Sequence, residues 1–302
     1  MELQDRYDII DRKKEIIIGE KRLMSAIIYD SKPLAKRMTE ELQGQAAEFH
    51  RQHQRPARLA QIIVGHDGAA EVYSRQLARA CRTIGLDCAT LAYPFEMEEQ
   101  ALRTKVAALS NDANTEGVVL LLPLPSHIRQ RIVTDVLNPE KDVDGLGSRN
   151  AGNLLLGFPS FIPSTADVIL TVLKHEGIAV AGRNAVVVGR SNIGGKPTAL
   201  VLMRNDATVT ICHSHTQDLA SITRSADILV VSIGRPASIT ADMVKPGAVV
   251  LDAGINPIDG KVVGDIDFEN VKDVASFLTP VPGGLGPLTH LMLIRHTLLG
   301  PQ

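Results

Sequence analysis

The chain has 302 residues, 44% of them hydrophobic and 22% charged, with a net charge of −2. That length exceeds one ordinary core and predicts two domains. The near-neutral balance offers no field for nucleic acid or an anionic membrane. With no tryptophan and 3% aromatics, there is little surface for stacking single-stranded bases. No apolar run reaches membrane-spanning length, which predicts a cytoplasmic protein.

Residues 1–23 are dense in charge and lack the apolar stretch of a secretory signal. Their short apolar patches, Ile9-Ile10 and Ile16-Ile17-Ile18, could dock on the body or on a second subunit. The simpler expectation is a loosely ordered extension, with Met24 as an alternative start just before the regular pattern. Ser31-Lys32-Pro33 opens a helix, serine as cap and proline in the first turn. Leu34, Met38 and Leu42 continue it at helical spacing. Leu59 to Val64, ending in Gly65, reads as a buried strand. Tyr73, Leu77, Ala80, Cys81 and Ile84 form the next helical stripe, closed by Gly85. A strand over Asp87 to Tyr93, a helix over Glu98 to Leu109 and a strand over Gly117 to Leu122 follow, stopped by Pro123 and Pro125. This alternation predicts a parallel sheet covered by helices.

Asn138 to Phe161 is rich in Gly, Pro, Asn and Asp and has little periodicity. Long irregular stretches inside compact domains often carry function. A helix begins near Pro163 and runs to about Lys174, and the domain boundary falls there. From Asn184 a second βα series starts: strands Ala185 to Val188, Thr208 to Cys212, Ile228 to Ile233 and Ala248 to Ala253, with helices Pro197 to Arg204 and Asp218 to Ser225. A last helix, Leu288 to Leu299, follows Gly283-Gly284-Leu285-Gly286-Pro287 and is expected to return to the first domain. The predicted architecture is α/β: an extension over 1–23, a first parallel α/β domain over 24–162 plus 286–302, a Rossmann-like domain over 163–285, and a cleft between them. Cys81, Cys88 and Cys212 form no CxxC pair. They read as reduced, buried thiols, with neither disulfide nor metal site expected.

Val186-Val187-Val188-Gly189-Arg190-Ser191-Asn192-Ile193-Gly194-Gly195 joins a buried strand to a helix. Nucleotide phosphates need this geometry, because glycine lets the backbone approach and free N–H groups at the helix start face the anion. Ser191 replaces the usual middle glycine, so context decides, and the strand before and βα units after favour a dinucleotide. A Walker A reading fails, since Lys196 precedes Pro197 instead of Ser or Thr. NAD sites usually end the next strand with a carboxylate for the ribose. Here His213-Ser214-His215-Thr216 stands there. Arg190 and Ser214 can hold a 2′-phosphate instead, which predicts NADP.

The segments Gly189-Arg190-Ser191, Gly195-Lys196-Pro197, Cys212 to Thr216, Asp252 to Asn256, Gly264 to Asp267 and Thr279 to Pro287 resemble the NADP half of the bifunctional methylenetetrahydrofolate dehydrogenase/cyclohydrolase family. Val64-Gly65, Tyr73, Leu122-Pro123-Leu124-Pro125 and Lys141-Asp142-Val143-Asp144-Gly145 resemble its folate half. The likeness spans roughly Ser25 to Leu299. It implies oxidation of methylenetetrahydrofolate to the methenyl cation with NADP, then hydrolysis to formyltetrahydrofolate, in a homodimer. It further implies cofactor contacts at Gly189, Arg190, Ser191, Gly194, His213, Ser214, Ser232, Gly234 and Ile255. Substrate contacts are implied at Tyr73, Asp144, Pro282, Gly283, Gly284 and Pro287, with Asp144 on the pterin edge.

The pattern breaks at two catalytic positions. The family's lysine, one helical turn after the tyrosine, is Leu77, and its glutamine before Leu-Pro-Leu-Pro is Leu121. Residues four apart share a helix face, so Tyr73 still points into the cleft but no ammonium accompanies it. Its phenol is then expected at the ordinary pKa of about 10, a poor base near neutrality. Losing both partners together leaves no polar group stranded. The Pro-Cys-Thr-Pro start of the linking helix is Pro163-Ser164-Thr165-Ala166, and His290 and His296 enter a final helix that usually carries apolar or amide residues. Both histidines read as hydrogen-bonded structural residues. Hydride transfer needs chiefly alignment, whereas water addition needs proton handling. The reading is an NADP-dependent methylenetetrahydrofolate dehydrogenase with impaired cyclohydrolase activity. The rival readings are an NADP-dependent oxidoreductase of this fold acting on a non-folate substrate, and a non-catalytic NADP-binding paralogue.

Overall fold

Runs of buried β-branched and aliphatic residues set up two separate parallel sheets, seen in a computed structural model that describes residues 16–18, 21–23, 25–65, 68–258 and 260–301. The Ile9-Ile10 patch and Met24 lie outside the described residues. Within the expected loose extension, β1 (Ile16–Ile18) and β2 (Lys21–Leu23) pair antiparallel.

The chain then runs through β3 (Ile27–Ile28), α1 (Lys32–His53), β4 (Arg58–Val64), α2 (Gly68–Ile84), β5 (Asp87–Tyr93), α3 (Glu99–Ser110) and β6 (Gly117–Leu120). Strands β5-β4-β6 form a three-stranded parallel sheet. Its central strand is buried from Leu59 to Val64, as expected for a strand covered on both faces. The short helices α4 (Gln130–Thr134) and α5 (Ser148–Leu156) lead to α6 (Ser164–His175).

The second series is β7 (Asn184–Val188), α7 (Gly195–Arg204), β8 (Thr208–Cys212), α8 (Leu219–Thr223), β9 (Ile228–Val231) and β10 (Val249–Asp252). The hairpin β11 (Asn256–Ile258) and β12 (Lys261–Val263), then α9 (Phe268–Val271), β13 (Phe277–Leu278) and α10 (Gly286–Leu299), complete it. The second sheet is parallel throughout, in the order β3-β13-β10-β9-β7-β8.

Two helices join the halves. The apolar residues of α6 are buried nearly all round, and α10 packs on α1, α2 and α6. One apolar cluster therefore runs from Leu59 and Leu77 through Ile169 and Leu173 to Val187 and Val230. Two local features depart from the sequence pattern. Residues 138–161 are not irregular throughout, because α5 forms within them. Its segment contains Gly152 and two asparagines, poor helix formers. Tertiary bonds supply the difference: buried Asn150 donates to Asp142, and Gly157 ends the helix in the left-handed region. Strand β3 pairs with β13, so residues 27–28 edge the second sheet, although the sequence groups them with the first domain.

Candidate active site

Register positions the residues expected to meet the cofactor. Val188 lies beside Cys212 on one side and Val231 on the other, and Val231 lies beside Asp252. Gly189, His213, Ser232 and Ala253 therefore follow their strands at one level, along the carboxyl edge of the sheet. In open α/β sheets that edge is where ligands bind. Gly189 has φ 135°, and a side chain there would run into the Ser232 carbonyl. A side chain on Gly195 would meet the backbone of Gly189, and one on Gly194 would meet the Ser232 hydroxyl. The three glycines thus form a cradle that any Cβ would fill. Ser191 closes its rim, its Oγ accepting from the Gly194 N–H at 3.1 Å. The start of α7 faces this space, and the residues present fit a dinucleotide pyrophosphate.

Arg190 is exposed at the mouth, as is Ser214 beyond β8. The turn carrying Ser214 is pinned, the His213 N–H donating to Thr216 Oγ1 at 2.8 Å. Ile255, just beyond β10, is 60% exposed. Gly234, at φ 66°, needs its glycine conformation in the loop after β9.

Two buried aspartates shape these loops, and the sequence reading placed them in motifs without assigning them work. Asp265 accepts from the N–H groups of Ile233, Gly234 and Arg235 at 2.6–3.0 Å. Asp252 accepts from Gly254, Asp265 and Ile266 at 2.9–3.1 Å. Burial pushes the Asp252 carboxyl up to about 6, against the pull of those backbone donors. A signal was present: an aspartate within two residues of a glycine, as in Asp252-Ala253-Gly254 and Gly264-Asp265, suits a tight backbone approach. A side chain at Gly254 would collide with Asp265, and one at Gly264 with Asp252.

Of the residues expected to meet substrate, Tyr73 lies on α2, Asp144 lies in the loop before α6, and Pro282, Gly283, Gly284 and Pro287 lie before and at the start of α10. Leu77 is fully buried one turn after Tyr73, and Leu121 is 7% exposed. Both belong to one apolar cluster against which Tyr73 packs. The Tyr73 hydroxyl donates to Thr289 Oγ1 at 3.4 Å, a loose bond. Its phenol does not keep the ordinary value that the sequence suggested: burial first, then the Asp144 carboxylate, drives it well above the usual range. Asp144 accepts from the Ser164 N–H at 2.8 Å, so it caps the first turn of α6. Burial also raises its carboxyl.

The loop holding Asp144 is fixed from within. Asp142 accepts from Leu146, Gly147 and Asn150 at 2.8–3.0 Å, and burial pushes it up to about 6. A side chain at Gly145 would strike the Phe161 carbonyl. Gly283, at φ 100°, is anchored by the Ser31 hydroxyl, which donates to its carbonyl at 2.7 Å. Gly284 lies against the Pro280 carbonyl, where a side chain would clash. Pro282 follows a cis bond, and Pro287 begins α10.

The two unusual histidines differ. In His296, Nδ1 is 2.7 Å from the Val143 carbonyl and Nε2 is 3.0 Å from Asp167. It is the hydrogen-bonded structural residue that the sequence suggested, and it ties α10 to α6 and to the Asp144 loop. His290 lies over Tyr73, ring centroids 4.1 Å apart, with its Nε2 buried and without a partner. The same expectation therefore fails for His290 at that nitrogen. Among the described residues, no three His, Cys, Asp or Glu side chains gather as metal ligands, and no helix is long and apolar enough to cross a membrane.

The fold and the crevice define a two-domain α/β protein with a Rossmann-like NAD(P)-binding domain. The catalytic-domain pattern of tetrahydrofolate dehydrogenase/cyclohydrolase matches residues 29–144, and the NAD(P)-binding-domain pattern matches 163–301. A bifunctional protein FolD from Bordetella avium is 47% identical over 276 residues, 91% of this chain and 97% of that relative. The crystal structure of the bifunctional FolD of Campylobacter jejuni superposes with a TM-score of 0.87 at 36% identity, covering 91% of this chain and 98% of that one. That of the Trypanosoma brucei methylenetetrahydrofolate dehydrogenase-cyclohydrolase, complexed with NADP and an inhibitor, gives 0.87 at 34% identity, covering 91% and 96%. The chain belongs to the tetrahydrofolate dehydrogenase/cyclohydrolase family.

Proposed function

We propose that this protein oxidises methylenetetrahydrofolate with NADP and hydrolyses the methenyl product slowly. The observation that carries the second clause is the apolar pair Leu77 and Leu121, buried where the family pattern has lysine and glutamine. The dehydrogenase clause is supported by the intact glycine cradle at Gly189, Gly194 and Gly195, by Asp144 in place, and by the family relationship. The working unit is read as a homodimer, and the domain limits as 24–162 with 286–302, and 163–285.

Bound NADP would accept a hydride from the folate methylene carbon. The chain's part in that step is alignment. The cradle and the start of α7 fix the pyrophosphate, Arg190 and Ser214 take the 2′-phosphate, and Tyr73, Asp144 and the Pro282–Gly284 loop seat the pterin. Holding two reactants at contact distance removes much of the entropic barrier without proton transfer. Hydrolysis differs. Water must lose a proton as it attacks, and a nearby base usually contributes about 10²–10⁴-fold. Tyr73 cannot be that base near neutrality, since burial and Asp144 hold its proton on.

The test combines equilibrium dialysis with NADPH and with tetrahydrofolate, and a rate measurement with methylenetetrahydrofolate. Both ligands should bind, NADPH should form, and methenyl absorbance should build up. Binding of NADPH without tetrahydrofolate would favour a non-folate substrate, and binding of neither would refute the reading.

A further inference from the structure

The cleft keeps one polar group that the proposed reaction does not use. The ring of His290 lies one turn into α10, directly after the Pro282–Gly284 loop, and its centroid is 4.1 Å from that of Tyr73 with the planes 31° apart. The residue is 7% exposed, and its Nε2 has no hydrogen-bond partner. A neutral imidazole carries one N–H and one lone pair, and with the hydrogen on Nδ1 the lone pair stands on the unpartnered Nε2.

A buried acceptor left open in a folded protein calls for a cause. The surroundings narrow it. Leu77 and Leu121 offer no donor. The Thr289 hydroxyl donates to the Gly286 carbonyl at 2.8 Å and accepts from Tyr73, so its hydrogen is committed. Asp144 is engaged with the Ser164 N–H. Of the polar side chains named at Tyr73, His290 is the one whose ring nitrogen, Nε2, is fully buried with no hydrogen-bond partner. Packing alone does not explain the choice, since a phenylalanine would stack on Tyr73 without stranding a nitrogen.

We propose that His290 is the proton acceptor for the hydrolysis that this cleft retains, replacing the lysine lost at position 77. The proposal rests on the folate reading above. A water oxygen forms a bond to the methenyl carbon, the C=N⁺ electron pair moves onto nitrogen, and one water proton passes to Nε2. The neutral carbinolamine then collapses: its C–N bond breaks, the imidazolium returns its proton to the leaving nitrogen, and the hydroxyl proton leaves to solvent as the formyl C=O forms. One water is consumed and one proton is released. Burial lowers the imidazole to about 4, so the lone pair is free at neutral pH but weakly basic. A weak base gives a slow step, so this assignment and the slow hydrolysis proposed above stand together.

The experiment uses the full chain and two assays: NADPH formation from methylenetetrahydrofolate, and decay of added methenyltetrahydrofolate corrected for spontaneous hydrolysis. In His290→Phe, which keeps the ring stack, enzyme-dependent decay should fall to the spontaneous rate. NADPH formation and the KM for folate should stay within about threefold, because proton handling and positioning are separate contributions. His290→Gln restores an acceptor but no base and should hydrolyse no faster than His290→Phe. Unchanged decay in His290→Phe, retained decay in His290→Gln, equal losses in both assays, or no enzyme-dependent decay in the unmodified chain would each overturn the proposal. Absence of NADPH formation in the unmodified chain would instead overturn the folate reading.

Discussion

Restoring the family pair, Leu77→Lys with Leu121→Gln, tests the reading of the cleft at its most specific point. Leu77 is fully buried in the cluster that also holds Leu121, Cys81 and Ile84. Lysine alone at this site would place an ammonium among apolar side chains, and an uncompensated buried charge costs about 3–5 kcal/mol. Against a total of about 5–15 kcal/mol for an ordinary domain, the single variant should melt well below the unmodified chain. The second change, Leu121→Gln, adds an amide oxygen to accept from the ammonium, and a hydrogen bond to a charged group returns about 1.5–3 kcal/mol. A double-mutant cycle on denaturant stability should therefore show a favourable coupling of that size. Hydrolysis should follow the same logic, the double variant gaining at least about tenfold over either single one. The assay is decay of the methenyl absorbance, corrected for the spontaneous rate. If Leu77→Lys alone were as stable and as fast as the double variant, the two positions would not act as a pair. Rapid enzyme-dependent decay in the unmodified chain would show that the leucines do not impair hydrolysis at all.

Three further outcomes are expected. Arg190→Ala should weaken NADP binding by about 1.5–3 kcal/mol, the range for a charged hydrogen bond, and leave NAD nearly untouched; equal losses in titration would remove the 2′-phosphate assignment. Asp144→Ala should abolish folate-dependent NADPH formation without changing NADPH affinity, and cost about 1–3 kcal/mol by freeing the Ser164 N–H, whereas Asp144→Asn should keep most of the stability and still lose the activity. Asp142 and Asp252 are each raised to about 6, so the folded state binds protons more tightly than the unfolded chain. Their contribution, up to about 3 kcal/mol each, is full below about pH 4 and is lost as pH rises through about 6. Denaturant melts should thus show stability falling from pH 5 to pH 7, and a rise would contradict the assignment.

The fold was legible wherever a buried strand or a one-sided helix left its period in the chain. Strands β7 and β9 announce themselves as apolar runs, β4 as one interrupted only by Gln61, and α1 and α2 as stripes at helical spacing. What escaped was structure held by single polar atoms. Helix α5 is short and carries Gly152 and two asparagines, and Asn150 ties it to Asp142. Strand β13 contributes only Phe277 and Leu278 between neighbours that define it, and no two-residue run carries a strand signal. The glycine turn after β7 was readable because its glycine positions are dictated by backbone collisions, as at Gly189 and Gly195. Asp265 was not, since its three backbone partners lie about thirty residues away. The sequence could flag His290 as unusual, but only the fold puts its ring on Tyr73 and leaves one nitrogen open.

On the proposed reading, leucine where the family pattern has lysine acts on the product as well as on the proton. The methylene substrate is neutral at its reacting carbon, whereas the methenyl product is a cation. An ammonium at position 77 would repel that cation. At a separation of about 6 Å and an effective dielectric of about 20, the repulsion is near 3 kcal/mol. With Leu77 and Leu121 in place no such term exists, and the Asp144 carboxylate remains on the attractive side. The cleft should therefore hold its oxidised product more tightly than its substrate, which couples slow hydrolysis to slow release. Product inhibition measures this directly. In the unmodified chain, methenyltetrahydrofolate should inhibit NADPH formation at concentrations well below the KM for methylenetetrahydrofolate. In the double variant the ratio should shift toward weak inhibition by about 10–100-fold, the equivalent of roughly 1.4–3 kcal/mol of renewed repulsion. A ratio that does not move between the two proteins would mean that the cleft does not distinguish the cation, and that the leucines act on proton transfer alone.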